Sequence, residues 1–257
     1  MSGKDEYYNR AKQEGYRARS AYKLQQLDET ADLLGEDRTV VDLGAAPGGW
    51  LQVAAERVGE GGRVVGVDRQ RIDPLDDPAA LVETIRGDIT DDSTIEAITE
   101  SVGSVNLVLS DMAPNVTGEY DLDHARSVHL ARQALDVALD VLDAGGDLAV
   151  KVFDGRDLDD LTDDIEAEFE YVREVRPDAS RDSSSELYLV GKSRLTAPVR
   201  EGDTVEVDIV DEGQEGDGIA KVEDFTLFVS GVSEGETLTV RVDDVKPRYA
   251  FAHPVDT

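Results

Sequence analysis

The sequence predicts an α/β domain built on a doubly wound, mostly parallel sheet, followed by a small all-β barrel. In the first part of the chain, short runs rich in β-forming residues alternate with segments of helical periodicity, which is typical of a sheet covered by helices on both faces. From about residue 195 onward, short alternating strands are separated by Gly and Asp turns, and no helical period remains. We therefore predict two domains, 1–193 and 194–257.

The predicted strands of the first domain are, in chain order, TVVDL, GRVVGVD, the segment before RGDIT, VNLVLSD, GDLAVKVF, YVREVRP and SELYLVGK. Apolar residues at helical spacing predict helices at Trp50–Val58, Ser93–Ser101, Asp123–Asp143 and Asp157–Phe169. This order is typical of a Rossmann-like fold, in which ligands bind outside the carboxyl ends of the parallel strands. The residues that follow each strand are therefore the candidate functional residues.

Acidic residues dominate the composition: 57 Asp and Glu against 26 Lys and Arg give a formal net charge of −31. Dispersed acid with little Lys indicates adaptation to concentrated salt, although an acidic protein of low-salt cells remains the alternative. With no Cys and three His, we expect neither a disulfide nor a metal site. No apolar run is long enough to span a bilayer and the N-terminal residues do not resemble a secretory signal, so we expect a cytoplasmic protein without a membrane partner.

Residues 1–23 are the exception to the acidity, with six basic residues against three acidic ones. Four tyrosines are interleaved with these bases: Tyr7, Tyr8, Tyr16 and Tyr22. Guanidinium and aromatic groups side by side hold phosphates and stack on unpaired bases, which predicts an arm that binds RNA. An arm whose tyrosines pack on the domain explains the same pattern equally well.

A glycine-rich turn, GAAPGG, follows the first predicted strand and leads into a helix. Its glycines let a ligand approach the backbone, but the spacing from Gly44 to Gly48 is not that of a dinucleotide-binding turn, and Pro47 removes an amide donor. Asp68 ends the second strand, where a carboxylate can accept hydrogen bonds from ribose hydroxyls, and Asp88 follows the third strand within reach of an adenine amino group. Together these positions favour S-adenosylmethionine over NAD, although an NAD-linked oxidoreductase remains the alternative.

Four charged residues are predicted to converge at the same edge of the sheet. Asp111 ends one apolar strand, Lys151 lies within the next, and Glu186 starts the last. Lys23 lies on a predicted helix near the N-terminus. A lysine inside an apolar strand needs a carboxylate neighbour or gives up its proton, and a neutral lysine is a base. A catalytic role for Lys151 and a structural ion pair are equally compatible with this spacing.

Five segments of the sequence resemble, in order, the motifs of the RrmJ/FtsJ family of S-adenosylmethionine-dependent ribosomal RNA ribose 2′-O-methyltransferases. These segments are RSAYKL, DLGAAPGGW, SDMAPN, VKVFDG and SSELYLV, and the resemblance extends over residues 5–193. Residues 199–252 resemble a TRAM domain, a small OB-like, RNA-binding β-barrel, in the segments GDGIAKVEDFTLFVSG and PRYAFA. This pairing of domains is similar to that of archaeal members of the family.

The resemblance implies S-adenosylmethionine as the cofactor. Gly48 and Trp50 match the cofactor contacts of the first family motif. Asp68 and Asp88 match the ribose and adenine positions, and Asp111 matches the carboxylate near the methionine end of the cofactor. We therefore predict these five residues as the cofactor-binding set.

The resemblance also implies a Lys-Asp-Lys-Glu catalytic tetrad, which Lys23, Asp111, Lys151 and Glu186 match without substitution. In this tetrad, Lys151 takes the proton of the ribose 2′-hydroxyl as general base, and the other three residues orient it and balance its charge. The implied reaction is methylation of a uridine ribose in the 23S ribosomal RNA of the large subunit. For the oligomeric state, which the sequence leaves open, a monomer is the default expectation. Methylation of tRNA, a catalytically silent RNA-binding protein of ribosome assembly, and a barrel without an RNA role remain alternatives.

Overall fold

The computed structural model describes residues 3–180, 184–213 and 216–255. Its first sheet has seven strands: β1 Thr39–Leu43, β2 Arg63–Asp68, β3 Leu81–Arg86, β4 Val105–Ser110, β5 Leu142–Phe153, β6 Phe169–Val175 and β7 Glu186–Arg194. They lie in the order β3-β2-β1-β4-β5-β7-β6. The pairs from β3 to β5 are parallel, and β7 runs antiparallel to β5. The predicted fold class, a mostly parallel doubly wound sheet, is confirmed.

Six helices accompany this sheet: α1 Gly3–Glu14, α2 Ala21–Ala31, α3 Gly49–Val58, α4 Asp92–Ser101, α5 Tyr120–Val141 and α6 Leu158–Glu166. Helix α6 ends before its predicted end at Phe169, because Phe169 starts β6 and its side chain is almost completely buried. Within the described residues, no helix combines the length and the apolar content needed to cross a bilayer.

The central strands are apolar on both faces because helices cover both. Val40, Val41, Val64, Leu107 and Leu109 are all fully buried, as expected for parallel strands between two helical layers. Each such side chain contributes about 1.5–3 kcal/mol when it is removed from water. This burial fixes β1 in the middle of the sheet, between β2 and β4, where the strand order reverses and a crevice opens at the carboxyl ends.

The second sheet is a closed barrel of five strands: β8 Thr204–Glu212, β9 Gly218–Val222, β10 Phe225–Val229, β11 Thr237–Val245 and β12 Tyr249–Pro254. The strands follow one another around the barrel in the order β10-β12-β11-β8-β9. The barrel has its own apolar core, in which Leu227, Val229 and Val240 are fully buried. The predicted all-β barrel is confirmed.

The chain folds into two compact units. The first comprises the residues up to Ala167 together with Tyr171–Lys192, and the second comprises Glu168–Glu170 and the residues from Ser193 on. Each unit holds a separate apolar core.

The tyrosines of the basic N-terminal arm are mostly engaged in packing. The rings of Tyr7 and Tyr16 lie 5.4 and 5.7 Å from the ring of Tyr22, which is almost completely buried. The Arg10 guanidinium lies 4.7 Å from the centre of the same ring. Tyr8 is 61% exposed. Three of the four tyrosines, Tyr7, Tyr16 and Tyr22, therefore pack against the domain. Tyr8 is the one of the four whose ring is largely exposed to solvent.

Candidate active site

The turn after β1 is held against the end of β2. The amides of Gly44 and Ala45 donate to the Val67 carbonyl over 2.8 and 3.1 Å, and the Ala46 amide donates to Asp68 Oδ2 over 3.0 Å. Gly44 has a φ of +80°, and a Cβ at this position would lie 2.5 Å from the Met112 side chain. The turn thus requires glycine both for its backbone conformation and for the close approach of the loop after β4.

A cleft of about 520 Å³ opens at the carboxyl ends of β1, β2 and β4 and beside the end of β3. Its lining includes backbone and side chains from the ends of these strands, among them Gly44, Ala46, Asp68, Asp88, Asp111 and Met112. This volume is in the range of small-molecule sites, and the location is the one that a parallel sheet with a reversed strand order provides.

Two carboxylates stand on the rim of the cleft. Asp68 Oδ1 accepts a hydrogen bond from the Gln70 amide over 2.7 Å. Asp88 Oδ1 accepts from the amide and hydroxyl of Thr90 over 3.1 and 2.9 Å, and these two bonds hold the pKa of Asp88 below its usual value. Both side chains are therefore oriented by the local backbone, and each keeps acceptor capacity for a ligand.

Gly48 and Trp50 lie beside the cleft. Among the residues that the structure describes, neither of the two is part of the cleft lining. Gly48 precedes α3 with a φ of +105°, and a Cβ there would lie 3.0 Å from Arg17 Nη1. The Trp50 ring is buried, and its Nε1–H donates to the Ser20 carbonyl over 2.7 Å. Trp50 thus joins α3 to the residue before α2, and the cofactor contacts predicted for these two residues stay predictions.

The structure brings the four predicted tetrad residues together. Lys151 Nζ lies 2.8 Å from Asp111 Oδ1, and Lys23 Nζ lies 2.6 Å from Glu186 Oε1. Lys23 Nζ is also 3.7 Å from Asp111 Oδ1, so that the two ion pairs form one chain of alternating charge. Lys23 and Lys151 are only 7% and 6% exposed. Two ammonium groups at this depth need such carboxylates to offset their loss of hydration.

Strand pairing explains why these residues meet. Asp111 follows β4, and Lys151 lies on β5, which pairs with β4 in parallel. On the other side of β5, β7 runs antiparallel and places Glu186 opposite Phe153. Helix α2 packs with one face buried, and Lys23 lies on that buried face, near this edge of the sheet. Residues far apart in sequence thus reach one edge because three neighbouring strands end or begin there.

The charges of the tetrad lower the pKa of Asp111. Burial raises this pKa, but the positive charges of Lys151 and Lys23 outweigh burial, and hydrogen bonds from Lys151 and Tyr188 lower it further. Asp111 is therefore an anion at neutral pH. It also lines the cleft, which connects the tetrad to the candidate ligand site.

Tyr188 is a site residue that the sequence reasoning missed. Its hydroxyl donates to Asp111 Oδ1 over 2.6 Å, and the side chain is fully buried. Burial, followed by the negative charges of Asp111 and Glu186, raises the Tyr188 pKa well above its usual value, so the hydroxyl keeps its proton. The signal was present: Tyr188 follows Glu186 by two residues, so both side chains project from the same face of β7.

We expect Tyr188→Phe to keep the fold and to reduce turnover. The ring that packs 5.9 Å from Trp50 remains, but Asp111 loses a hydrogen bond that is worth about 1.5–3 kcal/mol when one partner is charged. The expected result is a several-fold lower kcat with a modest loss of stability. Turnover and urea unfolding of the same preparation would check it, and an unchanged kcat would show that Tyr188 only fills space.

Asp42 is a buried carboxyl group on β1 below the cleft. It is 1% exposed, and its Oδ2 has no hydrogen-bond partner among the residues that the structure describes. Burial, and then the charges of Asp111 and Asp68, raise its pKa well above 3.8. The folded protein therefore keeps this proton at a pH where the unfolded chain releases it, and the free energy of unfolding falls as the pH rises above 3.8 through the folded-state pKa.

Asp42→Asn is expected to stabilise the fold at pH 7, because the amide has the same shape and carries no charge to desolvate. The gain should be larger at pH 7 than at pH 4, because the unfolded chain releases this proton above pH 3.8. Urea unfolding of both proteins at the two pH values would check the expectation. A variant less stable than the wild type at pH 7 would contradict it.

Comparisons with known protein families identify a match over the residues that form this cleft and tetrad. Residues 16–194, which hold all the site residues described above, match the model of the FtsJ-like methyltransferases. The chain belongs to the FtsJ-like methyltransferase family. Residues 198–255 match the TRAM domain. The family resemblance found in the sequence motifs is therefore confirmed for both parts of the chain.

Relatives of this FtsJ-like methyltransferase are similar over their full length. The chain is 74% identical over 263 aligned residues to the ribosomal RNA large subunit methyltransferase E of Haloarcula marismortui, and 65% identical to the protein of the same name from Natronomonas pharaonis; both matches cover 100% of each chain. Both sources are halophilic archaea. A crystal structure from Plasmodium falciparum, assigned to a ribosomal RNA methyltransferase, matches 70% of this chain and 98% of its own with a TM-score of 0.61 and 28% identity.

Proposed function

We propose that this chain transfers a methyl group from S-adenosylmethionine to a ribose 2′-hydroxyl, at a uridine of the large-subunit ribosomal RNA. The observation that carries the proposal is the position of Lys151. Its Nζ is buried and lies 2.8 Å from Asp111 Oδ1, and Asp111 lines a cleft of cofactor size. The full-length relatives named as methyltransferases of the large-subunit RNA supply the substrate class.

The residues of the cleft fit S-adenosylmethionine better than a dinucleotide. Asp68 and Asp88 are acceptors suited to ribose hydroxyls and to an amino group. Three carboxylates around the cleft repel a pyrophosphate, and the cationic sulfonium and ammonium groups of S-adenosylmethionine complement them. Gly44 and Met112 both line the cleft, and the absence of a Cβ on Gly44 lets the Met112 side chain approach the turn.

The chain's own residues would activate the substrate. When bound, S-adenosylmethionine supplies an electrophilic methyl group. A ribose 2′-hydroxyl is a weak nucleophile until it loses its proton, and neutral Lys151 would accept that proton at Nζ as general base. The proton then rests on Lys151 beside Asp111, whose negative charge stabilises the ammonium group that forms.

The other tetrad residues would position Lys151 and control its charge. Glu186 holds Lys23 at 2.6 Å, and Lys23 in turn places a positive charge 3.7 Å from the carboxylate that Lys151 uses. Lys23 thus helps to balance the negative charges of Asp111 and Glu186 around Lys151. Tyr188 and Lys151 share Asp111 Oδ1, so the tyrosine fixes the carboxylate in the rotamer that Lys151 needs.

One assay separates this proposal from its alternatives. The protein would be incubated in concentrated salt with labelled S-adenosylmethionine and, in separate reactions, with tRNA and with each ribosomal subunit, and the modified nucleotide mapped. We expect one 2′-O-methyluridine in the large-subunit RNA. Label in tRNA alone would make tRNA the substrate, and no label in any RNA would favour a catalytically silent RNA-binding protein.

Asp68→Ala is expected to weaken binding of S-adenosylmethionine about 10- to 100-fold, because a charged acceptor contributes about 1.5–3 kcal/mol. The variant also removes the acceptor of the Ala46 amide, which loosens the turn after β1. Calorimetric titration would measure the change. Asp73→Ala is the matched control, since Asp73 is an exposed acid of the following loop that pairs with Arg71. Equal affinity in both variants would remove Asp68 from the cofactor site.

A further inference from the structure

His124 is a buried histidine near the start of α5 that the proposed mechanism does not use. Its side chain is 2% exposed, and both ring nitrogens form hydrogen bonds. Nδ1–H donates to the Phe153 carbonyl over 2.9 Å, and Nε2 accepts from the Asp157 amide over 3.1 Å. A carbonyl only accepts and an amide only donates, so these partners define the two roles of the ring. His124 thus bonds to the last residue of β5 and to the last residue of the loop 154–157 that follows it.

The backbone of the loop 154–157 lies directly against the His124 ring. Gly155 has no side chain, and a Cβ at this position would lie 2.5 Å from Nδ1 and 2.6 Å from Cγ of the ring. A larger residue in place of Gly155 would therefore push the ring or the loop away. The ring and the loop are closely fitted to each other, so a change in one displaces the other.

Two other residues of α5 add hydrogen bonds to the same part of the backbone. Ser127 is also buried; its Oγ accepts from the Phe153 amide over 3.0 Å and donates to the His124 carbonyl over 2.7 Å. The Tyr120 hydroxyl donates to the Asp154 carbonyl over 2.6 Å. The end of β5 and the loop after it are thus tied to the start of α5 by four hydrogen bonds, two of which come from His124.

The backbone that His124 holds is adjacent to two residues of the tetrad. Lys151 precedes Phe153 by two residues on β5, and Phe153 pairs with Glu186 across β5 and β7. The Asp154 amide donates to the Ser185 carbonyl over 2.8 Å, next to Glu186. A displacement of this backbone would shift the end of β5 against the start of β7, and with it the relative positions of Lys151 and Glu186.

We propose that His124 is a positioning residue for methyl transfer, which holds the loop 154–157 and thereby keeps Lys151 in line with the ribose 2′-hydroxyl; this inference rests on the proposed function. Among the residues that the structure describes, neither His124 nor this loop is part of the cleft lining, so His124 acts through the backbone and not by contact with the cofactor. Proton transfer tolerates little misplacement of the base, and a shift of about 1 Å can lower a rate about 100-fold. A histidine that only filled the core would stabilise the fold and leave kcat unchanged.

The test compares the full-length wild type with His124→Leu and His124→Asn, at a temperature where all the proteins are folded. Leucine fills the site but forms neither hydrogen bond. Asparagine can place its amide nitrogen near the position of Nδ1 and donate to the Phe153 carbonyl, but it is too short to accept from Asp157. We expect kcat on large-subunit RNA to fall about 10- to 100-fold in the leucine variant and less in the asparagine variant. The KM and the Kd for S-adenosylmethionine should change little.

Asp28→Ala is the matched control, since Asp28 is another buried side chain that holds a backbone segment. It is 9% exposed, and its Oδ1 accepts from the amides of Leu33 and Leu34 over 3.1 and 2.7 Å. This segment precedes β1, on the side of the sheet opposite to the carboxyl ends that form the cleft. The control should lose stability, as the His124 variants do, and keep the kcat of the wild type.

Amide hydrogen exchange gives a second readout that does not depend on activity. The loop 154–157 should exchange faster in His124→Leu than in the wild type, and at the wild-type rate in Asp28→Ala. Unchanged exchange of this loop, or a wild-type kcat in His124→Leu, would overturn the proposal. An equal loss of kcat in Asp28→Ala would also overturn it, because stability alone would then control turnover. A wild type that methylates no RNA would instead refute the proposed function, and the exchange rates would still decide whether His124 holds the loop.

Discussion

Replacing Lys151 with alanine is expected to lower kcat about 10²- to 10⁴-fold and to leave the affinity for S-adenosylmethionine nearly unchanged. The size follows from the usual contribution of a general base. Lys151 contacts Asp111 and is not part of the lining of the cleft described above, so its removal leaves the acceptors Asp68 and Asp88 in place. Single-turnover methylation of ribosomal RNA and calorimetric titration of the cofactor would measure the two effects separately. Methylation near the wild-type rate would refute the assignment.

Two further variants distinguish loss of the base from loss of charge and from general damage. Lys151→Arg keeps a cation beside Asp111 but cannot give up a proton, so it should be as inactive as the alanine variant. Lys192→Ala removes another largely buried lysine of the same sheet, which lies 2.8 Å from Asp147 Oδ2 at a distance from the cleft. It should lose stability and keep its activity. An active arginine variant would show that Lys151 acts by charge alone.

The sequence was sufficient to predict the sheet, the barrel and the meeting of Asp111 with Lys151, because these depend on strand order. Parallel strands align their carboxyl ends, so the residue after each apolar run, such as Asp111 after β4, is placed by topology alone. Lys151 was placed in the same way, since the apolar residues around it identify a strand. No contact distance was needed for either inference.

Side-chain partners could not be predicted in the same way. Periodicity shows that a residue such as Trp50 or Tyr188 is buried, but not which neighbour it faces. Trp50 donates to the Ser20 carbonyl and Tyr188 donates to Asp111, and both bonds depend on how α2 and β7 approach from elsewhere in the chain. The tyrosines of α1 show the same limit, because an aromatic and basic pattern is compatible both with packing and with open stacking. Only the ring contacts with Tyr22 distinguish the two.

Asp111→Asn is expected to abolish most of the activity and to destabilise the fold. The amide keeps the shape of the side chain but removes the negative charge that lies 2.8 Å from Lys151 and 3.7 Å from Lys23. Breaking a buried ion pair typically costs about 3–5 kcal/mol. Because a fifth of the Asp111 side chain is exposed and Lys23 keeps Glu186, we expect about 2–3 kcal/mol, with a fall in kcat of at least about 100-fold.

The loss of stability should depend on pH with a definite sign. The folded-state pKa of Asp111 lies below 3.8, so its charge stabilises the native protein above that pH and the benefit disappears as the pH falls through the folded-state pKa. The difference in free energy of unfolding between wild type and Asp111→Asn should therefore be full at pH 7 and lower at pH 3, as urea unfolding at the two values would show. A constant difference would mean that the ion pairs do not contribute to stability.

Asp147→Asn provides the matched control, since Asp147 is also a buried carboxylate that holds two cations. Its Oδ2 lies 3.0 Å from Arg38 Nη1 and 2.8 Å from Lys192 Nζ, and it stands on β5 four residues before Lys151. Both variants remove one charge from a carboxylate between two cations in the same sheet, so both should lose stability to a similar extent. Only Asp111 adjoins the cleft, and therefore only Asp111→Asn should lose methyl transfer at a temperature where both proteins are folded. Equal activity in the two variants would mean that the tetrad, for all its buried charge, is a structural network and that the base lies elsewhere.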